Sequence, residues 1–167
     1  MVPSDPPSGG VRGGRPRLGG RGMIDRSAPV PKAQPAKKRV LFVCIGNSCR
    51  SQMAEAFAKT YGSDVMEVRS AGVSPATIIA PLTRQILGEK NIRIDDHFPK
   101  GLEIATRDPF DVIVNMSGAK LPIPGAHIRD WPVRDPIGES EEVYRTVATQ
   151  IEGLVMRLIL ELRSVPR

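Results

Sequence analysis

The chain has 167 residues, including 16 glycines, 16 prolines and two cysteines, and a formal net charge of +6. This length suits one domain with a sizeable core. No stretch is apolar and long enough to cross a membrane, and two cysteines five positions apart are not the framework of a disulfide-rich secreted protein. We therefore expect a cytoplasmic protein without a membrane partner. The histidines, His97 and His127, are isolated in the sequence, which indicates neither a metal site nor a cofactor.

Residues 1–38 differ in composition from the rest. They hold 7 glycines, 7 prolines and no aromatic residue. They also hold 8 Lys or Arg against 2 Asp or Glu, whereas residues 39–167 hold 16 Lys or Arg and 16 Asp or Glu. Such a segment buries too little apolar surface to offset its ordering entropy, so we predict a disordered leader over 1–38 and a folded domain over 39–167. Its interleaved Arg and Gly could bind nucleic acid weakly, but a solvated extension, or a true start at Met23, is the simpler interpretation. The electrically neutral domain gives no sign of a nucleic-acid partner.

Apolar runs alternate with helical patterns beyond the leader. The predicted strands are 39–44, 66–71, 111–116 and, as a short edge strand, 128–131. The predicted helices are 51–61, 81–90, 100–106 and a final amphipathic helix from Val143 to Leu162, whose apolar residues recur every three or four positions. This alternation favours right-handed crossovers. We predict an α/β fold in three layers, with a four-stranded parallel sheet and helices on both faces.

The most informative stretch is the loop that follows the first strand, Cys44-Ile-Gly-Asn-Ser-Cys-Arg-Ser51, which we call the anion loop. It places a thiol and a guanidinium at the two ends of a strand-to-helix turn, at the sheet edge where α/β folds bind ligands. Inward backbone N–H groups and the helix dipole can bind a tetrahedral oxyanion there, and the same field favours a cysteine thiolate. Alternatively, Cys44 is a packed thiol and Arg50 belongs to a surface ion pair.

Each residue of the anion loop has an expected role. Cys44 is the candidate nucleophile, and Arg50 offers a planar fork of donors to two oxygens. The backbone of Ile45, Gly46, Asn47, Ser48, Cys49 and Arg50 is the expected phosphate-binding cradle. Gly46 permits a backbone conformation closed to most residues, and Ser51 can donate its hydroxyl to the thiolate.

Asp135, followed by Pro136, is the candidate general acid for a leaving oxygen. Asp-Pro pairs are also ordinary turn formers. The pair Asp108-Pro109 precedes a predicted strand and is interpreted as such a turn. On the residues alone, Asp135-Pro136 could equally be such a turn.

The run from Val40 to Glu55 resembles the low-molecular-weight protein tyrosine phosphatases and their relatives, the thioredoxin-coupled arsenate reductases. Ser70-Ala71-Gly72 is similar to the ending of the family's second strand, and residues 131–138 resemble its acid loop. The resemblance covers about 39–163. It implies a phosphatase-like catalytic domain over 39–167, a cysteinyl-phosphate intermediate on Cys44 and an acid at Asp135.

Departures from the family pattern bear on the substrate. Ile137 and Gly138 stand where the tyrosine phosphatases usually carry aromatic residues. Ser48 and Gln52 are more similar to the reductase version of the loop, but those reductases use two further cysteines as a disulfide relay, and no cysteine follows Cys49 in this sequence. Cys49 itself is either a small packed thiol or a reversible disulfide partner that protects Cys44.

We therefore expect a cysteine-dependent phosphomonoester phosphatase. Its substrate would be a phosphorylated protein, first of all one carrying phosphotyrosine, or a small phosphomonoester, and inorganic oxyanions such as phosphate and arsenate would be ligands. The alternative is an arsenate reductase recycled by a small thiol or an external redoxin. A third hypothesis is an anion-binding or regulatory module without catalytic activity. The presence of a complete catalytic set, Cys44, Arg50 and Asp135, disfavours it.

Overall fold

The structure is a computed structural model that describes residues 3–4, 9–10, 36–124 and 127–165. The chain divides into two units, Met1–Gln34 and Pro35–Arg167, of which the second carries the fold. Its elements in chain order are β1 (Lys38–Cys44), α1 (Arg50–Gly62), β2 (Met66–Gly72), α2 (Pro81–Glu89), α3 (Leu102–Ala105), β3 (Val112–Asn115), β4 (Ile128–Asp130) and α4 (Glu141–Ser164). The predicted disorder of residues 1–38 falls almost entirely outside the described residues and stays a prediction.

The four strands form one parallel sheet in the order β2-β1-β3-β4. β1 pairs along its whole length with β2, so that Cys44 lies opposite Gly72. On its other side β1 pairs with β3, and β3 pairs with the short edge strand β4. The predicted α/β fold with a four-stranded parallel sheet is confirmed.

Both faces of the sheet are buried, as the apolar strands predict. Successive β1 side chains alternate between two cores, because neighbouring residues of a strand point to opposite faces. Val40 and Phe42 belong to the larger core, which α1, α2 and α4 cover, whereas Leu41 and Val43 belong to the smaller one with Ile113. The layered packing leaves the carboxyl edge of the sheet as the place where loops from β1 and β3 meet.

Local hydrogen bonds explain where the element boundaries differ from the predicted ones. β1 begins at Lys38, whose N–H donates to Val65 O at 2.9 Å. α4 begins at Glu141 because the Ser140 side chain caps it, accepting from Val143 N at 3.3 Å. The third helix is only Leu102–Ala105, shorter than predicted. Within the described residues, no helix is both long and apolar enough to span a bilayer.

Candidate active site

The anion loop lies at the carboxyl edge of the sheet, because β1 ends at Cys44 and α1 begins at Arg50. A cleft of about 200 Å³ opens above it. The cleft is lined by Cys44, Ile45, Gly46, Ser48, Cys49, Arg50, Ala76, Asp135 and Ile137. The structure therefore brings the predicted nucleophile, the predicted guanidinium and the predicted acid to one small space.

The backbone carbonyls of the anion loop are bound on its outer side. The following segment, residues 73–80, supplies four of the donors: Val73 N to Cys44 O at 3.0 Å, Ser74 N to Ile45 O at 2.8 Å, Ala76 N to Gly46 O at 2.9 Å and Ala80 N to Ser48 O at 3.1 Å. Gln52 Nε2 donates to Asn47 O at 3.1 Å, and Met53 N donates to Cys49 O at 2.8 Å. In a trans peptide the N–H points opposite to the C=O. The N–H groups of residues 45–50 consequently face the cleft, as an oxyanion cradle requires.

Asn47 determines which atom donates in the hydrogen bond between Ser51 Oγ and the sulfur of Cys44, the candidate nucleophile. It is fully buried and adopts a left-handed conformation with φ of 50°, which asparagine tolerates better than most residues. Its Nδ2 donates to Ser51 Oγ at 2.7 Å and to Ser70 Oγ at 2.9 Å. Because Ser51 Oγ accepts from Asn47, its own hydrogen is free to point at Cys44 Sγ, 2.9 Å away. This arrangement suits stabilisation of a thiolate at Cys44.

Arg50 is held by backbone carbonyls rather than by a surface partner. Its Nη1 donates to Met116 O at 2.5 Å and to Val133 O at 3.0 Å. The side chain is only 6% exposed, so Arg50 is a buried group rather than a surface one. These two bonds orient the guanidinium plane, and they leave its Nη2 edge for a bound anion. The same Nη2 lies 3.6 Å from Asp135 Oδ2.

Asp135 stands at the mouth of the cleft with its side chain 48% exposed. Its Oδ1 accepts from Ile137 N at 3.1 Å, which fixes the carboxyl group within a tight turn that continues through Gly138 at φ +79°. Asp108, the other candidate beside a proline, instead pairs with Arg39 at 3.6 Å. Partial exposure lets water reach Asp135 on the side of its carboxyl group that faces the anion site.

Cys49 has a different environment from Cys44. It is 2% exposed, and burial raises the pKa of its thiol to about 12. Both cysteines are free thiols. Cys49 therefore stays protonated at neutral pH and is a poor attacking group. Among the described residues, no three His, Cys, Asp or Glu side chains group as metal ligands would.

Sequence reasoning gave no role to several residues that support the loop. Thr83 Oγ1 donates to Ser48 O at 2.9 Å. Ser70 Oγ accepts from Asn47 Nδ2, and the backbone N–H of Lys100 donates to Asn47 Oδ1. Gly72 is another: a Cβ built on it would lie 2.7 Å from Ile45 O and 2.8 Å from Asn47 N. For Gly72 the only sequence signal was the resemblance of Ser70-Ala71-Gly72 to a family strand ending. Two backbone segments can approach closely without any particular pattern of side chains, so the sequence alone does not indicate the contact.

We predict that Gly72→Ala lowers kcat/KM about 100-fold, because the methyl group must displace the backbone of the cradle by a sizeable fraction of an ångström. Gly88→Ala is the matched control, since nothing lies within 4 Å of a Cβ at that helical position. It is expected to retain full activity and to raise stability slightly, by about 0.5–1 kcal/mol. Equal kcat/KM values of the two variants would contradict this role for Gly72.

Comparison with known proteins places this geometry in a family. Residues 39–165 match the family described as low molecular weight phosphotyrosine protein phosphatase. The glutaredoxin arsenate reductase of Synechocystis sp. is 36% identical over 130 residues, which cover 75% of this chain and 98% of that protein. Its name describes that protein and gives no function to this chain by itself.

Solved structures agree on the fold. An arsenate reductase in the phosphate-binding state is 36% identical, with a TM-score of 0.68 over 75% of this chain and 98% of that one. The YwlE arginine phosphatase of Geobacillus stearothermophilus is 29% identical, with a TM-score of 0.69 over 77% of this chain and 94% of that one. Phosphatases and arsenate reductases thus share this architecture. The chain belongs to the low molecular weight phosphotyrosine protein phosphatase family, a family of enzymes.

Proposed function

We propose that this protein is a cysteine-dependent phosphomonoester hydrolase that acts through a cysteinyl-phosphate. The observation that carries the proposal is that Asp135 lines the same cleft of about 200 Å³ as Cys44 and Arg50. A nucleophile, an anion clamp and a proton donor can then reach one bound phosphoryl group. A module that only bound anions would have no use for the acid.

In the first step, the Cys44 thiolate attacks phosphorus on the side opposite the leaving oxygen. The S–P bond forms as the O–P bond breaks, and the leaving oxygen takes a proton from Asp135. The N–H groups of residues 45–50 and the Nη2 edge of Arg50 hold the charge on the three equatorial oxygens. In the second step, Asp135 takes a proton from water, the water oxygen bonds to phosphorus, and Cys44 leaves as a thiolate that Ser51 stabilises.

The rim of the cleft is apolar, which favours a substrate with an apolar leaving group. Ile45 and Ile137 are 39% and 50% exposed, and together with Ala76 they form the wall beyond the phosphoryl position. An aryl phosphate such as phosphotyrosine would place its ring against these side chains, although an aliphatic wall gives less stacking than an aromatic one. Phosphoarginine, suggested by the name of the arginine phosphatase, is a second substrate candidate outside the phosphomonoesters, because its leaving atom is a guanidine nitrogen that Asp135 would protonate instead of an oxygen.

Arsenate reduction is the second candidate function, and the names of the relatives favour it over hydrolysis. The same cradle would bind arsenate, and the Cys44 thiolate would attack arsenic as water leaves. Reduction to arsenite needs two electrons, which two thiols supply as they form a disulfide.

The second thiol would have to come from outside the chain. Both cysteines of the sequence lie in the anion loop, and Met116 and Ser117 follow β3, where the resemblance places relay cysteines in the reductases. Cys49 is buried and protonated. An external thiol would attack Cys44 Sγ, release arsenite and leave a mixed disulfide, which a further thiol would reduce. A small thiol or a redoxin must therefore be present for any turnover of arsenate.

The proposal predicts that Asp135→Asn slows hydrolysis according to the leaving group. With phenyl phosphate, whose leaving group needs a proton, kcat is expected to fall about 10²- to 10³-fold. With p-nitrophenyl phosphate, whose phenolate leaves readily, the fall is expected to be about tenfold. Equal losses on the two esters, measured under identical conditions, would argue that Asp135 is not the acid.

A further inference from the structure

A second hollow lies beside the cleft, where the chain continues beyond β3 and β4. Residues 116–121 form one of its walls and residues 131–133 form the other, and we call it the Trp131 groove. Its volume is about 690 Å³, more than three times the volume of the cleft, which is about 200 Å³. The side chain of Arg50 lines both hollows. Because the cleft is smaller than the pockets that enclose drug-sized ligands, most of a large substrate must lie outside it.

Hydrogen bonds hold both walls of the Trp131 groove in place. Asn115, the last residue of β3, is 4% exposed, and its Nδ2 donates to Ala119 O at 2.7 Å and to Asp130 Oδ1 at 3.0 Å. Its Oδ1 accepts from Ser117 N at 3.0 Å, and its backbone O accepts from Trp131 N at 2.9 Å. One buried residue thus binds both walls. A groove fixed in this way needs little ordering when it binds a ligand.

The inner surface of the groove is apolar. Met116, Leu121 and Val133 are buried apolar residues of the two walls. Trp131 is partly buried and packs against Phe42 in the larger core, with the ring centroids 5.8 Å apart. An apolar group that covers these side chains gains free energy because it removes them from water.

The charged groups of the groove do not favour a charged ligand. Lys120 and Asp130 line the groove as one cation and one carboxylate, and both residues are exposed. The third charged group is Arg50, whose Nη1 already donates to Met116 O and Val133 O. Opposite charges at a solvated rim largely offset each other. The groove therefore favours an uncharged, apolar group.

The groove and the cleft are neighbours along the segment that carries Asp135. Val133 lines the groove and Asp135 lines the cleft, and two residues of chain span at most about 7 Å. An extended peptide has the same spacing, because side chains two residues apart lie on the same side and about 7 Å from each other. A peptide whose phosphorylated side chain enters the cleft can consequently place the next side chain but one in the groove.

We infer that the Trp131 groove binds an apolar side chain of a polypeptide substrate, two residues away from the phosphorylated one. The inference rests on the proposed function, because it takes the cleft to hold the phosphoryl group of the substrate. It makes a phosphorylated protein, rather than a small phosphomonoester, the preferred substrate. Trp131 provides a large contact surface for such an anchor, as tryptophan often does at protein interfaces. The groove supplies binding and no chemistry, so its effect lies in KM more than in kcat.

The test compares two short phosphotyrosine peptides that differ only at the positions two residues before and two residues after the phosphotyrosine. One peptide carries leucine at both positions and the other carries alanine, so the direction of the bound chain does not affect the result. We expect kcat/KM to be about tenfold higher for the leucine peptide, because one leucine side chain becomes partly buried. A ratio near one, with p-nitrophenyl phosphate hydrolysed by the same preparation, would overturn the inference and leave the proposed function intact.

Ala119→Trp fills the groove and should bring the ratio between the two peptides below about twofold. Ala119 is exposed and lines the groove, and it binds Asn115 through its backbone, which the substitution leaves in place. The ratio is formed within each protein, so an effect of the variant on the cleft itself cancels. Leu160→Trp is the matched control, because Leu160 is 59% exposed on α4 outside the groove and its variant should keep the full ratio.

An unchanged ratio in Ala119→Trp, or an equal loss of the ratio in Leu160→Trp, would contradict the inference. If Ala119→Trp does not fold, Ala119→Leu takes its place and should still lower the ratio. An unchanged ratio in that variant counts equally against the groove.

Trp131 also gives a readout that needs no turnover, because it is the one tryptophan of the chain. Peptides in which a difluoromethylene group replaces the ester oxygen bind without being hydrolysed. The leucine version should shift the emission maximum of Trp131 to shorter wavelength, whereas the alanine version and inorganic phosphate should shift it little. If N-acetyl-leucine amide alone gives the full shift at the same concentration, the groove is a separate small-molecule site and the inference is wrong. If no ester is hydrolysed, the proposed function fails, and this titration still decides whether the groove binds the apolar side chain.

Discussion

Cys44→Ser is expected to lower kcat for aryl phosphate hydrolysis by at least about four orders of magnitude. The serine hydroxyl is not ionised at neutral pH, and the hydrogen bond from Ser51, which suits a thiolate, cannot activate it. The cradle of N–H groups and the guanidinium of Arg50 are untouched by the change. The variant should therefore still bind inorganic phosphate, with an affinity within about tenfold of the original.

Two measurements together check this result. Steady-state rates give the loss of kcat, and calorimetric titration with phosphate gives the remaining affinity. The thermal unfolding midpoint serves as the control, because the side chain is 2% exposed and the substitution changes its volume little. Residual hydrolysis within about 100-fold of the original rate would contradict a covalent role for Cys44.

Arg50→Lys is expected to lower kcat/KM about 10³-fold, even though the formal charge is unchanged. The guanidinium serves two tasks at once: Nη1 binds Met116 O and Val133 O, and Nη2 faces the anion position. A lysine has a single nitrogen, which cannot bind both carbonyls and still present a planar pair of donors to two phosphate oxygens. Phosphate affinity should fall together with kcat.

Arg145→Lys is a suitable matched control for this variant. Arg145 lies on α4, where it pairs with Glu89 at 2.7 Å on the surface, and its side chain is 46% exposed. Exposed pairs of this kind contribute little to stability. The control should therefore keep its activity. Comparable losses in the two variants would show that a general effect of replacing arginine on the fold, rather than the geometry at Arg50, is responsible.

The anion loop and the fold were predictable because their signals are local. An apolar run that ends at Cys44, a loop that contains Gly46 and a helical pattern after Arg50 lie within a dozen residues, so composition and order suffice. The strand-helix alternation likewise implies a parallel sheet. Asp135 was proposed from its resemblance to an acid loop, and the structure adds that it shares the cleft with Cys44.

The supports of the loop could not be predicted because they depend on tertiary contacts of the backbone. Arg50 is oriented by the carbonyls of Met116 and Val133, groups that every residue carries. Residues 73–80 bind four carbonyls of the loop through N–H groups, again without a side-chain signal. A polar group behind the loop likewise brings together Glu55, Ser70 and Lys100 from three separate segments. Only the folded chain shows that these positions meet.

The central claim is that the cleft of Cys44, Arg50 and Asp135 hydrolyses phosphomonoesters. The measurement that tests it most directly is a paired assay on the full chain without added metal. One arm follows p-nitrophenyl phosphate hydrolysis, and the other follows arsenate-dependent oxidation of a small thiol or of thioredoxin. We expect hydrolysis that Cys44→Ser abolishes, with slow or no arsenate turnover. Robust arsenate turnover in the absence of phosphatase activity would contradict it and would establish the reductase instead.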